Sequence, residues 1–242
     1  MKISAKSDIG KVRQNNQDSY AAGELPGNVA WAVVCDGMGG AAGGNVASAT
    51  AVKSISEKIA TCYHNGMSDS SVRNLLLSAV ESANAVVYDA AGKNESLYGM
   101  GTTVAAVIIN SDRVYAASVG DSRVYIVSDN LFQVTTDHSV VQNMVDNGEI
   151  TKEEARFHPK KNVITRALGI ESEIRTDFFQ EEIDKDNDIV LLCTDGLTNY
   201  IDESDLLETV KNSSRYEIAD NLVKAANDNG GGDNITVVAL SN

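Results

Sequence analysis

The chain has 242 residues, of which 43% are hydrophobic, and its formal net charge at pH 7 is −14. This composition suits one domain with an ample core, and we expect a single domain over residues 1–242. The acidic balance argues against nucleic-acid binding, which needs a basic face. No apolar stretch is long enough to span a membrane, and the N-terminus lacks the apolar core of a signal peptide. These features predict a cytoplasmic protein that binds neither nucleic acid nor membrane.

The first half of the chain predicts strands, two long helices and then more strands. Strands are predicted at 2–8, 18–24 and 29–35, and apolar stripes at helical spacing predict helices at 44–62 and 68–91. Closely spaced strands follow, and the short breaks between them predict hairpins with antiparallel pairing. These later strands are predicted at 102–110, 113–119, 123–127 and 131–134.

Residues 137–170 form the least core-like part of the sequence. They contain a short predicted helix at 139–147, a capping box at Thr151–Glu154 and a polar stretch at 158–161. We therefore expect a mobile surface flap at about 137–170. The elements predicted beyond it are strands at 174–182, 188–193 and 235–240, and helices at 202–211 and 215–228. Together, the elements predict an α+β fold with antiparallel sheets flanked by helices.

Four aspartates, each in a Gly-containing turn beside a predicted strand, are the most informative feature of the sequence. They are Asp36, Asp121, Asp195 and Asp233. A single Asp-Gly pair usually marks a plain turn. The apolar runs at 29–35 and 189–193 are typical of buried strands, however, and a carboxylate at the end of a buried strand needs a compensating charge. If the four converge, each close pair repels by roughly 4 kcal/mol at an effective dielectric near 20. The pattern therefore predicts either separate turns or an oxygen-lined site for divalent cations.

Eight short motifs follow one another along nearly the whole chain. They are Ser7–Asp18, Asp36–Gly40, Gly99–Thr103, Val119–Arg123, Asp137–Ser139, Thr165–Gly169, Cys193–Thr198 and Gly231–Thr236. In this order they resemble the metal-dependent Ser/Thr protein phosphatases of the type 2C (PPM) family, of the compact bacterial kind. The resemblance implies a sandwich of two antiparallel β-sheets flanked by pairs of antiparallel helices. It also implies hydrolysis of phosphoserine and phosphothreonine in proteins.

The resemblance assigns a metal-binding role to five matched residues. Asp36 would bridge two metal ions, and the carbonyl of Gly37 would bind the second ion. Asp195 and Asp233 would complete the shell of the first ion, and Asp121 together with Asp195 would hold a third. These ligands are all hard oxygens, so Mg²⁺ or Mn²⁺ fits and zinc does not.

Two further matched residues would act on water and substrate. The resemblance implies that Asp18 orients a metal-bound water, which two bridged cations can activate near neutral pH. Arg13 would bind the substrate phosphate, and its guanidinium can offer two parallel hydrogen bonds to phosphate oxygens. The alternative for Arg13 is a structural ion pair with Asp8 or Asp18.

The sequence departs from the family pattern at two positions near these residues. Gln17 stands where many eukaryotic relatives have glutamate, which removes one negative charge and predicts weaker affinity for the second metal ion. Met38 stands where eukaryotic relatives have a histidine proposed as the general acid, and methionine has no proton to donate. The group that protonates the leaving serine oxygen is therefore left open.

Other chemistries fit the sequence less well. Cys35, Cys62 and Cys193 have no CxxC spacing and are expected to be reduced thiols. None is followed six positions later by the arginine that the thiol-phosphatase signature requires. Arg123 and Arg166 could contact phosphate or form structural salt bridges. His138 could touch the site, although a surface position is the default expectation.

Two classes of function remain after these exclusions. The first is an active phosphatase, expected to be a monomer, whose substrates are phosphorylated proteins. The resemblance implies that it opposes a Ser/Thr protein kinase, which is expected to be among its phosphorylated partners. The second is a pseudophosphatase or a specialised regulator phosphatase that acts as a binding module. The presence of all four aspartates favours the active enzyme.

Overall fold

The computed structural model describes residues 1–110 and 112–242, and only the backbone at positions 41 and 42. Within these residues the chain forms eleven strands and seven α-helices. None of the helices that the structure describes is both long enough and apolar enough to span a bilayer. The predicted turn at 110–112 contains Ser111, which lies outside the described residues.

One sheet joins the two ends of the chain. Its strands are β1 (Lys2–Asp8), β7 (Arg123–Val127), β8 (Leu131–Gln133), β10 (Ile189–Cys193) and β11 (Ile235–Ser241). Their order across the sheet is β1-β11-β10-β7-β8, and all neighbours are antiparallel. The first strand of the chain therefore pairs with the last along its whole length, with Lys2 opposite Ser241 and Asp8 opposite Ile235.

The second sheet contains the strand that carries Asp36. Its strands are β2 (Asp18–Leu25), β3 (Val29–Met38), β5 (Val104–Asn110), β6 (Arg113–Val119) and β9 (Asp177–Glu182), in the order β2-β3-β5-β6-β9. These neighbours are also antiparallel. The short strand β4 (Gly101–Thr102) pairs with the end of β3.

Long helices cover the outer face of each sheet. The pair α1 (Gly40–Cys62) and α2 (Asp69–Lys93) packs on the second sheet, and the pair α6 (Glu203–Asn212) and α7 (Ile218–Asp228) packs on the first. A third apolar cluster fills the space between the sheets. Along β3, alternate residues contribute to different clusters because successive side chains on a strand point to opposite faces. These layers confirm the predicted α+β sandwich.

Three short helices complete the fold. They are α3 (Val140–Asp146), α4 (Lys152–Phe157) and α5 (Asp195–Thr198). Helix α4 has the predicted capping box, in which the Thr151 side chain accepts from Glu154 N and the Glu154 side chain accepts from Thr151 N. The flap that contains α3 and α4 is closed at its base by pairing between Ser139 and Ile164. Its mobility stays a prediction.

The structure corrects three boundaries near the predicted site. Helix α1 begins at Gly40 rather than at 44. The strand predicted at 102–110 is two strands, because the backbone N–H of Thr103 turns aside to donate to the carbonyl of Asp36 at 2.8 Å. Asp195, predicted in a turn, is the first residue of α5.

Candidate active site

One open cavity brings together most of the residues predicted to form a site. It has a volume of about 520 Å³ and lies where β3, α5 and the segment before β11 meet. Six of the seven predicted residues line it: Arg13, Asp36, Gly37, Asp121, Asp195 and Asp233. The four aspartates therefore converge, and the reading of four unrelated turns was wrong.

The seventh residue, Asp18, lies beside Asp36 on the neighbouring strand. The two are directly opposite in the register of β2 and β3, and Asp18 is buried. Its Oδ2 accepts a hydrogen bond from Thr194 Oγ1 at 2.9 Å. Asp18 thus sits behind the cavity, within one strand spacing of Asp36.

Asp36 and Gly37 lie inside β3 rather than in a turn. The strand continues to Met38, and the Gly37 N–H donates to the carbonyl of Gln17 at 3.1 Å. A Cβ at Gly37 would overlap the carbonyl oxygen of Gly44, so only glycine fits at this close approach of the backbone to α1.

Asp195 has one satisfied and one unsatisfied carboxylate oxygen. Its Oδ2 accepts from Nδ2 of Asn199, the residue directly after α5, at 2.9 Å. Among the described residues, Oδ1 has no hydrogen-bond partner, although it is buried. A buried carboxylate oxygen without a partner is costly, and a bound cation would supply the missing interaction.

Asp233 lies directly before β11 and contacts Arg13. Its Oδ1 accepts from Asn234 N at 2.9 Å, and its Oδ2 accepts from Arg13 Nη2 at 2.8 Å. The hydrogen bond to Asp233, and then its charge, raise the pKa of Arg13. In the structure, Arg13 therefore pairs with Asp233 and not with Asp8 or Asp18.

The convergence of carboxylates changes their protonation. Burial, with the added charges of Asp195 and Asp233, raises the pKa of Asp18 to about 7. Burial and then the charge of Asp195 raise the pKa of Asp121 to about 8. Burial also raises the pKa of Asp195, and burial and the charge of Asp18 raise that of Asp36 well above its ordinary value. Protein groups alone leave this cluster short of positive charge.

The donor chemistry fits hydrated Mg²⁺ or Mn²⁺. In the part of the chain that the structure describes, no three or more side chains of His, Cys, Asp or Glu form a preformed cage for one ion. The cavity instead offers carboxylate oxygens and the nearby Gly37 backbone in an open arrangement. Mg²⁺ usually keeps several waters and takes only one or two carboxylates, and oxygen-only sites also suit Mn²⁺. The unsatisfied oxygen of Asp195 and the raised pKa values support this fit.

The two departures from the family pattern both lie at the cavity. Met38 lines it, together with Asn162 and Ile164 from the flap. Gln17 also lines it, and its Nε2 donates to the carbonyl of Gly40 at 2.7 Å. The amide of Gln17 therefore ties down the backbone at the start of α1, which a glutamate in its ionised form could not do.

For Arg123 and Arg166 the sequence allowed either contact with phosphate or structural salt bridges. In the structure both form ion pairs with protein carboxylates. Arg123 donates from Nε to Asp137 Oδ1 at 2.9 Å and from Nη2 to Asp137 Oδ2 at 2.7 Å. Arg166 donates from Nη1 to Asp177 at 2.9 Å. These contacts direct both guanidinium groups to neighbouring carboxylates.

His138 is buried, so the expected surface position was wrong. Its Nδ1 accepts from the backbone N–H of Gly120 at 3.0 Å, and its Nε2 lies 3.3 Å from Asp177. Burial lowers the pKa of His138. Since Gly120 precedes Asp121, this imidazole supports the turn that brings Asp121 to the cavity.

Two other residues of the site escaped the sequence analysis. Thr103 Oγ1 accepts from Asp36 N at 2.9 Å and lies 2.7 Å from Ser122 Oγ. Asn234 lines the cavity and bonds to the loop that carries Arg13. Both residues lie in motifs that carry the family resemblance, Gly99–Thr103 and Gly231–Thr236, and membership of these motifs was the signal that could have found them.

Comparison with known proteins agrees with this geometry. The family model described as "Protein phosphatase 2C" matches residues 10–227. The serine/threonine phosphatase Stp of Listeria welshimeri is 38% identical, with 97% of this chain and 93% of that protein covered. The crystal structure of the phosphatase Stp1 from Staphylococcus aureus superimposes with a TM-score of 0.92 at 31% identity, covering 99% of this chain and 94% of that one. The catalytic domain of the phosphatase PstP, crystallised with two manganese ions, gives a TM-score of 0.86 at 34% identity, covering 98% and 96%. The chain therefore belongs to the protein phosphatase 2C family.

Proposed function

We propose that this protein hydrolyses phosphoserine and phosphothreonine in other proteins, with Mg²⁺ or Mn²⁺ bound at the aspartate cavity. The observation that carries the proposal is the convergence of Asp36, Asp121, Asp195 and Asp233, with a buried oxygen of Asp195 left without a protein partner. A pair of such ions would supply an activated water and neutralise charge on the phosphate.

Each carboxylate has a distinct place in this proposal. Asp36, near the end of β3, would be a ligand shared by the two main ions, and the Gly37 carbonyl would bind the second. Asp195 and Asp233 would hold the first ion. Asp121, from the turn that His138 supports, would hold a third ion together with Asp195. Asp18 lies behind Asp36 and would orient a water at the site from there.

Arg13 binds the substrate phosphate. It lies at the cavity beside Asp233, and its side chain is about half exposed, so a phosphate at the cavity can reach its remaining N–H groups. Met38, at the same cavity, cannot protonate the leaving oxygen. We therefore assign that proton to solvent, which the openness of the site admits.

The substrates are phosphorylated proteins, which fits the relatives named serine/threonine phosphatase and protein phosphatase. A phosphatase of this kind opposes a Ser/Thr protein kinase, and we place it in the cytoplasm as a monomer that needs neither nucleic acid nor membrane. The choice between Mg²⁺ and Mn²⁺ and the presence of the third ion belong to the same proposal.

A metal-dependence assay tests the proposal. Turnover of a panel of phosphoserine and phosphothreonine peptides is measured with Mg²⁺, with Mn²⁺ and with chelator. We expect activity that needs metal in the millimolar range, disappears with chelator and returns when metal is restored. Full turnover in a metal-free preparation would contradict the metal mechanism. Peptide binding without turnover in every metal would favour the binding-module alternative.

A further inference from the structure

The loop that carries Arg13 has no regular secondary structure. It connects β1 to β2 across residues 9–17, and the Arg13 side chain is 52% exposed. An arginine on such a loop binds phosphate well only if the loop is already ordered, because ordering it during binding costs free energy. The structure must therefore fix this loop by contacts other than a strand ladder or a helix.

One buried side chain holds both ends of the loop. Asn234 is 5% exposed, and its Nδ2 donates to the carbonyls of Ile9 at 2.9 Å and Asn15 at 3.0 Å. Its Oδ1 accepts the backbone N–H of Gln17 at 2.8 Å. Both amide donors and the acceptor are thus used on residues that flank Arg13.

The same residue is bonded to the partner of Arg13. The Asn234 backbone N–H donates to Asp233 Oδ1, and Arg13 donates to Asp233 Oδ2. We propose that Asn234 is a positioning residue for the substrate phosphate, because its side chain holds the 9–17 loop so that Arg13 lies beside Asp233 at the cavity. This inference rests on the proposed role of Arg13.

A second contact also holds the loop, so the contribution of Asn234 can be isolated without losing the loop altogether. The Lys11 N–H donates to the carbonyl of Gly231 at 2.6 Å, and this bond lies between backbone groups. A substitution at Asn234 leaves it in place. It also leaves the hydrogen bond from the Asn234 backbone N–H to Asp233 Oδ1, so this proposed metal ligand keeps that contact.

The chain offers a matched control in Asn84. This asparagine on α2 is 1% exposed, and its Nδ2 donates to the carbonyls of Glu171 at 3.0 Å and Ser172 at 3.3 Å. Its Oδ1 accepts the Gly169 N–H at 2.8 Å. The bonding pattern is the same as that of Asn234, but the loop it holds does not carry Arg13.

The experiment compares Asn234→Ser with Asn84→Ser in the metal-loaded enzyme. Both substitutions replace one uncharged side chain with another, and both remove the two N–H donors of the asparagine amide. For Asn234→Ser we expect KM for a phosphopeptide and Ki for inorganic phosphate each to rise roughly tenfold, with kcat changed less than about twofold. For Asn84→Ser we expect a lower Tm with KM and Ki unchanged. Mn²⁺ affinity, measured by calorimetry, should match the unmodified protein in both.

A double-mutant cycle with Arg13→Ala shows whether Asn234 acts through Arg13. In the Arg13→Ala background, Asn234→Ser should raise Ki for phosphate no further, because the arginine it positions is gone. Additive effects in the cycle, an unchanged KM and Ki, or weakened Mn²⁺ binding would each overturn the inference.

The outcomes separate this inference from the proposed function. If Arg13→Ala alone leaves KM and Ki unchanged, the phosphate role of Arg13 fails and the inference fails with it. If Arg13→Ala raises both but Asn234→Ser does not, only the inference fails. If Asn234→Ser does not fold, hydrogen exchange in the unmodified protein decides. The Gln17 N–H donates to Asn234 Oδ1, so its slow exchange supports a loop that is fixed by Asn234. Fast exchange would overturn the inference.

Discussion

The aspartate side of the site and the flap are built in different ways. Asp36 lies in a central strand with neighbours on both sides and apolar clusters on both faces. The flap consists of the short helices α3 and α4, of which α3 buries only Val141 and α4 buries no residue. Yet the flap supplies Asn162 and Ile164 to the same cavity. The aspartate is thus placed on tightly packed backbone, while the flap beside it buries little of its own and pairs at its base between Ser139 and Ile164.

The largest effect should come from the aspartate side of the site, at Asp36. Asp36→Asn keeps the shape of the side chain but removes the charge that would bridge two ions, so we expect kcat/KM to fall by at least roughly a hundredfold. Mn²⁺ binding measured by calorimetry should weaken as well. Asp121→Ala is the matched comparison, because it should remove only the third ion. Loss of all metal binding in Asp121→Ala would show that the shells are not separate.

The next effect concerns the loop that bears Arg13. Arg13→Ala should lower kcat/KM by roughly ten- to a hundredfold, which corresponds to a charge-assisted contact of about 1.5–3 kcal/mol. Arg13→Lys should recover part of the loss, since a point charge lacks the fork of two donors. Metal affinity should stay nearly unchanged in both variants. A large drop in Tm with normal kinetics in the folded fraction would instead assign Arg13 a structural role.

A smaller effect should appear in the pH dependence of stability. It should come from the buried aspartates of the site rather than from the rest of the fold. The pKa values of Asp18 and Asp121 are raised in the folded chain to about 7 and about 8, so the folded state binds more protons than the unfolded state between roughly pH 4 and pH 8. Stability of the protein in chelator should therefore be highest at the acidic end of this window and fall as pH rises through it.

Thermal melting across this window checks the sign. In chelator, Tm should decrease from pH 5 to pH 8, and Mn²⁺ should reverse the decrease because it binds the ionised carboxylates. Asp18→Asn should flatten the slope in chelator. A Tm in chelator that rises over this range would contradict the raised pKa values of these buried carboxylates.

The smallest effect should come from the flap. Phe157 is 86% exposed on α4, so Phe157→Ser should change turnover of p-nitrophenyl phosphate less than about twofold and leave Tm nearly unchanged. Val107→Ala, in the buried strand β5, is the control that should lower Tm. Hydrogen exchange should be faster at 140–163 than in β3 and β5. Exchange as slow in the flap as in these strands would contradict its predicted mobility.

Much of this architecture could be predicted because its signals are local. Apolar runs, helical stripes and short polar breaks lie within a few residues of one another, and they gave most strands and all four long helices. The aspartates were found for the same reason, since each follows or precedes a predicted strand and lies beside glycine. The fold class also followed from the order of the eight motifs.

The parts that were missed depend on partners far away in the sequence. Asn234 bonds to residues 217 to 225 positions away, and no local pattern reveals such contacts. His138 was expected at the surface because its burial depends on Gly120 and Asp177. The break between β4 and β5 is set by the Asp36 carbonyl, 67 positions before Thr103. Local polarity cannot anticipate any of these.

The pairing of the first strand with the last has a consequence for how the enzyme is made. Arg13 and Asp233 meet across a separation of 220 residues, and β1 has no partner in its sheet until β11 has been synthesised. At 5–20 residues per second, this interval lasts roughly ten seconds or more on the ribosome. A nascent or truncated chain that lacks β11 therefore cannot form the contact between Arg13 and Asp233 in a closed sheet, and we expect activity to begin only when this strand has paired with β1.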